Sequence, residues 1–145
     1  MPSLLAALIA ELQKERSNVW WIKDMLPHDQ LTAMLTAADL FVCPSIYEPL
    51  GIVNLEAMGC ETAVLGSRVG GIPEVVADKE TGELVDYNGE AAPFEKALTE
   101  SITRLMSQPE LLKRYGAAGR ARAQKLFGWD AVAALTVDLY RRVIA

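Results

Sequence analysis

Two glutamates eight positions apart, Glu48 and Glu56, bracket the start of an apolar segment that is predicted to be a helix. The Pro-Leu-Gly turn between them is expected to leave backbone N–H groups free at the helix start, where partial positive charge favours a phosphate. Carboxylates accept hydrogen bonds from vicinal hydroxyls. One acid on a ribose and the other on a second sugar would clamp the two ends of a ligand around that phosphate. The spacing therefore predicts a site for a sugar nucleotide.

Helices and strands are predicted to alternate along residues 1–90, and these elements must hold Glu48 and Glu56 in position. Strands are predicted at Val19–Ile22, Asp39–Cys43, Ala63–Leu65 and Leu84–Val85. Helices are predicted from Ser3, a candidate N-cap, to Arg16, from Pro27 through Leu35, from Gly51 to Met58 and from Pro73 to Val76. Alternation of this kind predicts an α/β fold, with a parallel sheet of about four strands and helices on both faces. Ligands of such sheets bind beyond the carboxyl ends of the strands, where residues 44–51 and 67–71 fall.

From Ala91 onward the sequence pattern predicts helices only. These helices include Phe94 and Leu105, begin at Pro109, and run from Trp129 to Ile144. We therefore expect a single domain, with a nucleotide-sugar-binding core over residues 1–90 and a helical part over residues 91–145.

Composition restricts the class of protein. The chain has 145 residues, of which 51% are hydrophobic, so one domain with a buried core is expected rather than disorder. A net charge of −5 argues against a nucleic-acid partner. Cys43 and Cys60 lack paired metal-ligand spacing, so they predict no metal site and indicate a reduced, cytoplasmic location. The apolar run Leu4–Ala10 is too short to span a membrane and lacks the flanks of a signal peptide, so no membrane span is expected.

Three segments together resemble the family 4 retaining glycosyltransferases of the GT-B architecture, and most of all their bacterial glycogen synthases. The segments are Phe41–Met58, Gly70–Val76 and Thr81–Val85. The resemblance implies part of a Rossmann-like C-terminal domain that binds the sugar donor. It also implies that an N-terminal domain, acceptor contacts, and an Arg and a Lys that neutralise the donor diphosphate are missing here. The chain alone is therefore expected to be inactive.

The resemblance also implies roles for individual residues. Glu48 would be catalytic, touching the transferred sugar and stabilising positive charge at its anomeric carbon, and Glu56 would bind the ribose. The other residues implied in donor binding are Leu50, Gly51 and Ile52, through backbone N–H groups, and Met25 and His28, in the loop that meets the base.

Simpler roles for these residues remain open. Glu48 is also a candidate helix-capping acid, Glu56 a solvated helix acid, and Gly51 only a turn glycine. His28 is interpreted as a capping residue or a neighbour of the base rather than a proton carrier. Ser67 and Arg68 are weaker candidates for contact with the ligand.

The favoured function is transfer of glucose from ADP-glucose to an α-glucan with retention of configuration; UDP-glucose is the other donor considered. No metal or other cofactor is expected. Alternatives are an enzyme of the same fold with sucrose-type, trehalose-type, lipid or epimerase chemistry, or a non-catalytic module that binds a nucleotide or a partner domain.

Glu61 stands where relatives usually have a turn glycine, which would cost stability if the backbone there needs positive φ. The last helix is expected either to reach toward the missing domain or to be satisfied within this one.

Overall fold

Seven α-helices and three strands make up the computed structural model, which describes residues 4–144. The strands are β1 (Leu40–Cys43), β2 (Ala63–Ser67) and β3 (Gly82–Val85). The helices are α1 (Leu4–Glu15), α2 (His28–Ala37), α3 (Ile52–Gly59), α4 (Ile72–Val75), α5 (Ala91–Met106), α6 (Pro109–Arg122) and α7 (Trp129–Ile144). A π-helical turn, Ala123–Phe127, joins α6 to α7. The predicted N-cap Ser3 lies outside the described residues.

The three strands form one parallel sheet in the order β1-β2-β3, with Leu40 opposite Ala63 and Val64 opposite Gly82. Successive side chains of a strand point to opposite faces. Accordingly Val64 packs with core residues of α2, α3 and α4, whereas Ala63 and Leu65 pack with those of α5 and α6. This confirms the predicted α/β fold with helices on both faces of a parallel sheet. The helical part of the chain therefore supplies one face of the sheet.

The predicted strand Val19–Ile22 is wrong, and the described sheet has three strands rather than about four. The sequence there is apolar, but residues 16–27 form no helix or strand and Trp20 is 80% exposed. A strand forms only where a neighbouring strand pairs with its backbone groups. Within residues 4–144, β1 pairs with β2 alone, and no strand pairs with Val19–Ile22.

Helices α1 and α7 lie at the periphery, and neither buries a residue. The large apolar side chains of α7 are exposed, among them Trp129, Leu135, Leu139 and Tyr140. The described part of this domain therefore leaves the apolar side chains of the last helix uncovered. None of the described helices has the length and apolar character needed to cross a membrane.

Candidate functional site

Helix α3 begins at Gly51, which follows the loop at the carboxyl end of β1. Gly51 is the N-cap and has φ 86° and ψ 49°, a left-handed conformation that favours glycine. A Cβ at this position would lie 2.5 Å from Nδ2 of Asn54. Gly51 is therefore required by the local backbone, as the turn-glycine interpretation proposed.

The Gly70–Gly71 turn after β2 supports the loop that carries Glu48. The Gly71 N–H donates to the Glu48 carbonyl at 3.1 Å. A Cβ at Gly70 would lie 1.8 Å from the Glu48 carbonyl oxygen, and a Cβ at Gly71 would lie 2.4 Å from the Pro49 carbonyl oxygen. Two motifs separated in the sequence thus meet in space, because two residues without side chains let the backbones approach closely.

Ser67 and Arg68 lie beside this turn, and both have protein partners. The buried Ser67 hydroxyl donates to the Ser45 carbonyl, which fixes the loop after β1. Arg68 donates to Asp78 at 2.6 Å and to Asp86 at 2.7 Å, and these hydrogen bonds raise the pKa of Arg68 further above its usual range. The structure thus gives both residues a role in holding the loops.

The Glu48 carboxylate lies at the N-terminus of α3, where its Oε1 accepts a hydrogen bond from the Gly51 N–H at 3.1 Å. The expectation that this N–H is free is therefore wrong, since Glu48 acts as a capping acid. The neighbouring N–H groups differ, since those of Leu50, Ile52 and Val53 donate to no acceptor among residues 4–144. Unpaired N–H groups at a helix N-terminus attract an anion.

Glu56 lies in a groove between α2 and α3 that His28 also lines. The groove has a volume of about 220 Å³. Its other lining residues are Leu31, Thr32, Leu35, Gly59 and Cys60. Met25 does not line it, and its side chain is 97% exposed. The structure therefore brings Glu56 and His28 together and leaves Met25 apart.

The two acids flank the start of α3 from opposite sides. Asn54 and Glu56 are two residues apart on a helix, so they point in directions about 160° apart. Glu48 is on the Asn54 side, because its Cγ and Asn54 Nδ2 both lie within 3.4 Å of the position that a Gly51 Cβ would take. The acids do not share one cavity. The unpaired N–H groups at the start of α3 lie at the same end of the helix as both acids.

Asn54 was missed as a site residue by the sequence analysis. It is fully buried, and neither Oδ1 nor Nδ2 of its side chain has a hydrogen-bond partner. The signal in the sequence was an amide between Val53 and Leu55, in a helix that is otherwise apolar around the acid.

Within residues 4–144, the side chains of His, Cys, Asp and Glu form no group of three or more that could hold a metal ion. The expectation of a reaction without metal or other cofactor stays a prediction.

Comparison with known proteins identifies relatives of most of the chain. The family described as "Glycosyl transferases group 1" matches residues 5–122. Alpha-maltose-1-phosphate synthase of Mycobacterium tuberculosis is 52% identical over 138 residues, which are 94% of this chain and 36% of that protein. D-inositol 3-phosphate glycosyltransferase of Streptomyces bingchenggensis is 38% identical over 124 residues, which are 86% of this chain and 26% of that protein.

Among solved structures, sucrose-phosphate synthase from Thermosynechococcus elongatus matches with a TM-score of 0.79 and 35% identity. The match covers 97% of this chain and 34% of that one. The chain thus spans about a third of the length of this protein and of the mycobacterial relative. The expected closeness to glycogen synthases is corrected, because these similar proteins are named for other reactions.

Proposed function

The chain belongs to the glycosyl transferases group 1 family, of GT-B architecture, and on this premise we propose that it forms the donor-binding part of a retaining glycosyltransferase. The observation that carries the proposal is the start of α3, where unpaired N–H groups lie between Glu48 and Glu56. A nucleoside diphosphate sugar has the matching order of groups: ribose, diphosphate and hexose. The proposal assigns the diphosphate to the helix N-terminus, the ribose to Glu56 and the hexose to Glu48.

The start of α3 suits the departure of the diphosphate as well as its binding. Negative charge grows on the phosphate oxygen as its bond to the anomeric carbon breaks, and the unpaired N–H groups of Ile52 and Val53 would stabilise that charge. The Glu48 carboxylate, once turned toward the hexose, would stabilise positive charge at the anomeric carbon. An acceptor hydroxyl then forms the new bond to the anomeric carbon on the same face of the sugar, which retains the configuration, and its proton passes to the departing diphosphate.

We further propose that the acceptor is a phosphorylated sugar or polyol and that the transferred hexose is glucose. Three similar proteins support this choice, because each is named for a phosphorylated product or substrate: maltose 1-phosphate, inositol 3-phosphate and sucrose phosphate. Maltose consists of two glucose units, so a maltose 1-phosphate synthase adds glucose to a phosphorylated glucose. ADP-glucose and UDP-glucose remain the candidate donors.

The rest of the longer protein would supply the acceptor contacts and the remaining donor contacts. A cytoplasmic location is part of the same proposal, supported by the free cysteines Cys43 and Cys60.

The test is transfer by the full-length protein that carries this chain. ADP-glucose and UDP-glucose are each supplied with glucose 1-phosphate or with glycogen, and products are separated by mass. We expect a disaccharide phosphate from one of the donors. Elongated glycogen alone would overturn the phosphorylated acceptor, and no transfer from either donor would overturn the proposed donor.

Glu56→Ala tests the ribose contact in the same protein. We expect it to weaken the binding of the nucleoside diphosphate by about 10- to 100-fold, because a hydrogen bond to a charged group contributes about 1.5–3 kcal/mol. Glu11→Ala, an exposed acid of α1, is the matched control and should bind normally. Equal affinity of both variants, measured by calorimetry, would remove Glu56 from the site.

A further inference from the structure

Asn54 presents an unusual hydrogen-bonding problem. Its side chain is fully buried in α3, yet both of its polar atoms lack partners within residues 4–144. Buried polar groups are normally paired, because an unmade hydrogen bond costs the full desolvation of the group. A buried asparagine without partners beside a binding site therefore indicates a second state in which it is paired.

The position of Asn54 in the helix identifies the partner. Gly51 is the N-cap of α3, so Asn54 is its N3 residue. In a capping box, the N3 side chain accepts a hydrogen bond from the N–H of the N-cap. In this structure the Gly51 N–H donates instead to Glu48, at 3.1 Å. One donor therefore has two candidate acceptors, Glu48 and Asn54.

Both acceptors are within reach of Gly51. The position that a Gly51 Cβ would occupy is 2.5 Å from Asn54 Nδ2 and 3.4 Å from Glu48 Cγ. A half-turn about the last side-chain torsion of Asn54 exchanges its nitrogen and oxygen. This rotation would put the amide oxygen where Nδ2 now lies, close to Gly51 at the start of the helix.

We propose that Asn54 is a positioning residue that replaces Glu48 on the Gly51 N–H when donor binding draws the Glu48 carboxylate toward the hexose. Releasing Glu48 would otherwise leave the Gly51 N–H unpaired. The exchange keeps that N–H bonded in both states, so Glu48 can move to the sugar while the turn stays intact. The assignment of Glu48 to the hexose rests on the proposed function, whereas the competition for one N–H does not.

The competition is tested in the absence of ligand, by thermal unfolding of the full-length protein. Asn54→Leu is made in the native background and in a Glu48→Ala background. In the native background we expect a higher Tm, because an apolar side chain of similar shape replaces an amide without partners. In the Glu48→Ala background we expect Asn54→Leu to lower the Tm relative to Glu48→Ala alone. The double variant leaves the Gly51 N–H without either acceptor.

Two further variants keep this test decisive. Asn54→Ala, which avoids any steric strain from leucine, should also lower the Tm more in the Glu48→Ala background than in the native one. Asn18→Ala, at an exposed asparagine, should have the same effect in both backgrounds. Equal effects of both Asn54 variants in the two backgrounds would overturn the proposal.

Ligand binding separates positioning from a merely structural role. Asn54→Leu should weaken binding of the nucleotide sugar by about tenfold and leave binding of the nucleoside diphosphate unchanged, because only the hexose draws Glu48 away. Equal weakening of both ligands, or of neither, would overturn the role in sugar binding. If the native protein binds neither ligand, the proposed function fails, and the unfolding measurements alone decide whether Asn54 and Glu48 compete.

Discussion

Glu61 is strained at the level of a single residue, since its φ is 62°. The sequence analysis predicted a cost at this position if the backbone needed positive φ, and the structure confirms that it does. A left-handed conformation costs a residue with a side chain about 1–2 kcal/mol relative to glycine. The surface ion pair of Glu61 with Arg120, at 3.7 Å, recovers little of that cost.

We expect Glu61→Gly to stabilise the protein by about 0.5 kcal/mol. Relief of strain exceeds the extra entropy that glycine gives the unfolded chain, about 0.5–1 kcal/mol, and the lost ion pair. Glu100→Gly, in the middle of α5, is the control and should destabilise by about 1 kcal/mol. Chemical denaturation of both variants measures the two changes, and a loss of stability in Glu61→Gly would contradict the argument.

The sequence predicts which residues meet at the start of α3, but it does not predict which hydrogen bonds their side chains make. The motif placed Glu48 and Gly51 in one turn, and the structure has them there. That the Glu48 carboxylate itself occupies the Gly51 N–H depends on a side-chain rotamer within the loop, and no sequence pattern specifies it. The sequence shows the amide of Asn54 between two apolar residues, but only coordinates reveal that it is buried without a partner.

At the scale of elements, the Gly70–Gly71 turn holds the Glu48 loop in place. A Cβ at Gly71 would meet the Pro49 carbonyl oxygen at 2.4 Å and the Leu50 Cα at 2.6 Å, contacts with backbone that no rotamer relieves. We expect Gly71→Ala to destabilise the protein by about 1–3 kcal/mol and to weaken donor binding, because the loop must shift.

The control for this variant is Gly59→Ala at the end of α3, where an added Cβ has no heavy atom within 4 Å. It should gain about 0.5–1 kcal/mol, since alanine favours a helix over glycine. Thermal unfolding of the two variants should therefore shift in opposite directions. Similar shifts would show that the Gly71 contact is not what holds the loop.

An ionic cluster around the buried Glu83 links β3 to α5 and α6. Glu83, only 3% exposed, accepts hydrogen bonds from Arg104, from Lys79 at 2.6 Å and from the Tyr115 hydroxyl at 3.2 Å. Burial raises the pKa of Glu83, but the hydrogen bonds from Arg104 and Lys79 outweigh it and hold the pKa below its ordinary value of 4.5. Burial, with the charge of Glu83, raises the pKa of Tyr115.

The lowered pKa of Glu83 predicts an acid-sensitive fold. A carboxyl group whose folded pKa lies below its unfolded pKa stabilises the protein above the unfolded value. This stability is lost as the pH falls from about 4.5 through the folded pKa. Glu83→Gln should cost about 1–3 kcal/mol at pH 7 and flatten the acid limb of a plot of stability against pH. An unchanged acid limb would exclude Glu83 as its source.

For the whole molecule, the local pattern of apolar residues predicted most helices and strands. Whether an apolar segment became a strand depended also on a partner strand distant in the sequence. The segments around β1, β2 and β3 carry both the apolar pattern and a partner strand. Val19–Ile22 carries only the pattern, so it stays outside the sheet. Helix α7 was predicted at its observed bounds, but its pattern did not reveal that the described domain leaves its apolar side chains uncovered.

These differences in burial predict a gradient of local stability across the 145-residue chain. All five residues of β2 are buried between helices of both faces, whereas α1 and α7 bury none. Helices without buried contacts open at low free energy, and a central strand opens only with global unfolding. Hydrogen exchange followed by mass spectrometry should therefore show β2 as the slowest segment and α1 and α7 as the fastest helices. Protection of α7 equal to that of β2 would mean that its apolar side chains are covered, and a change in that protection with protein concentration would identify a second copy as the cover.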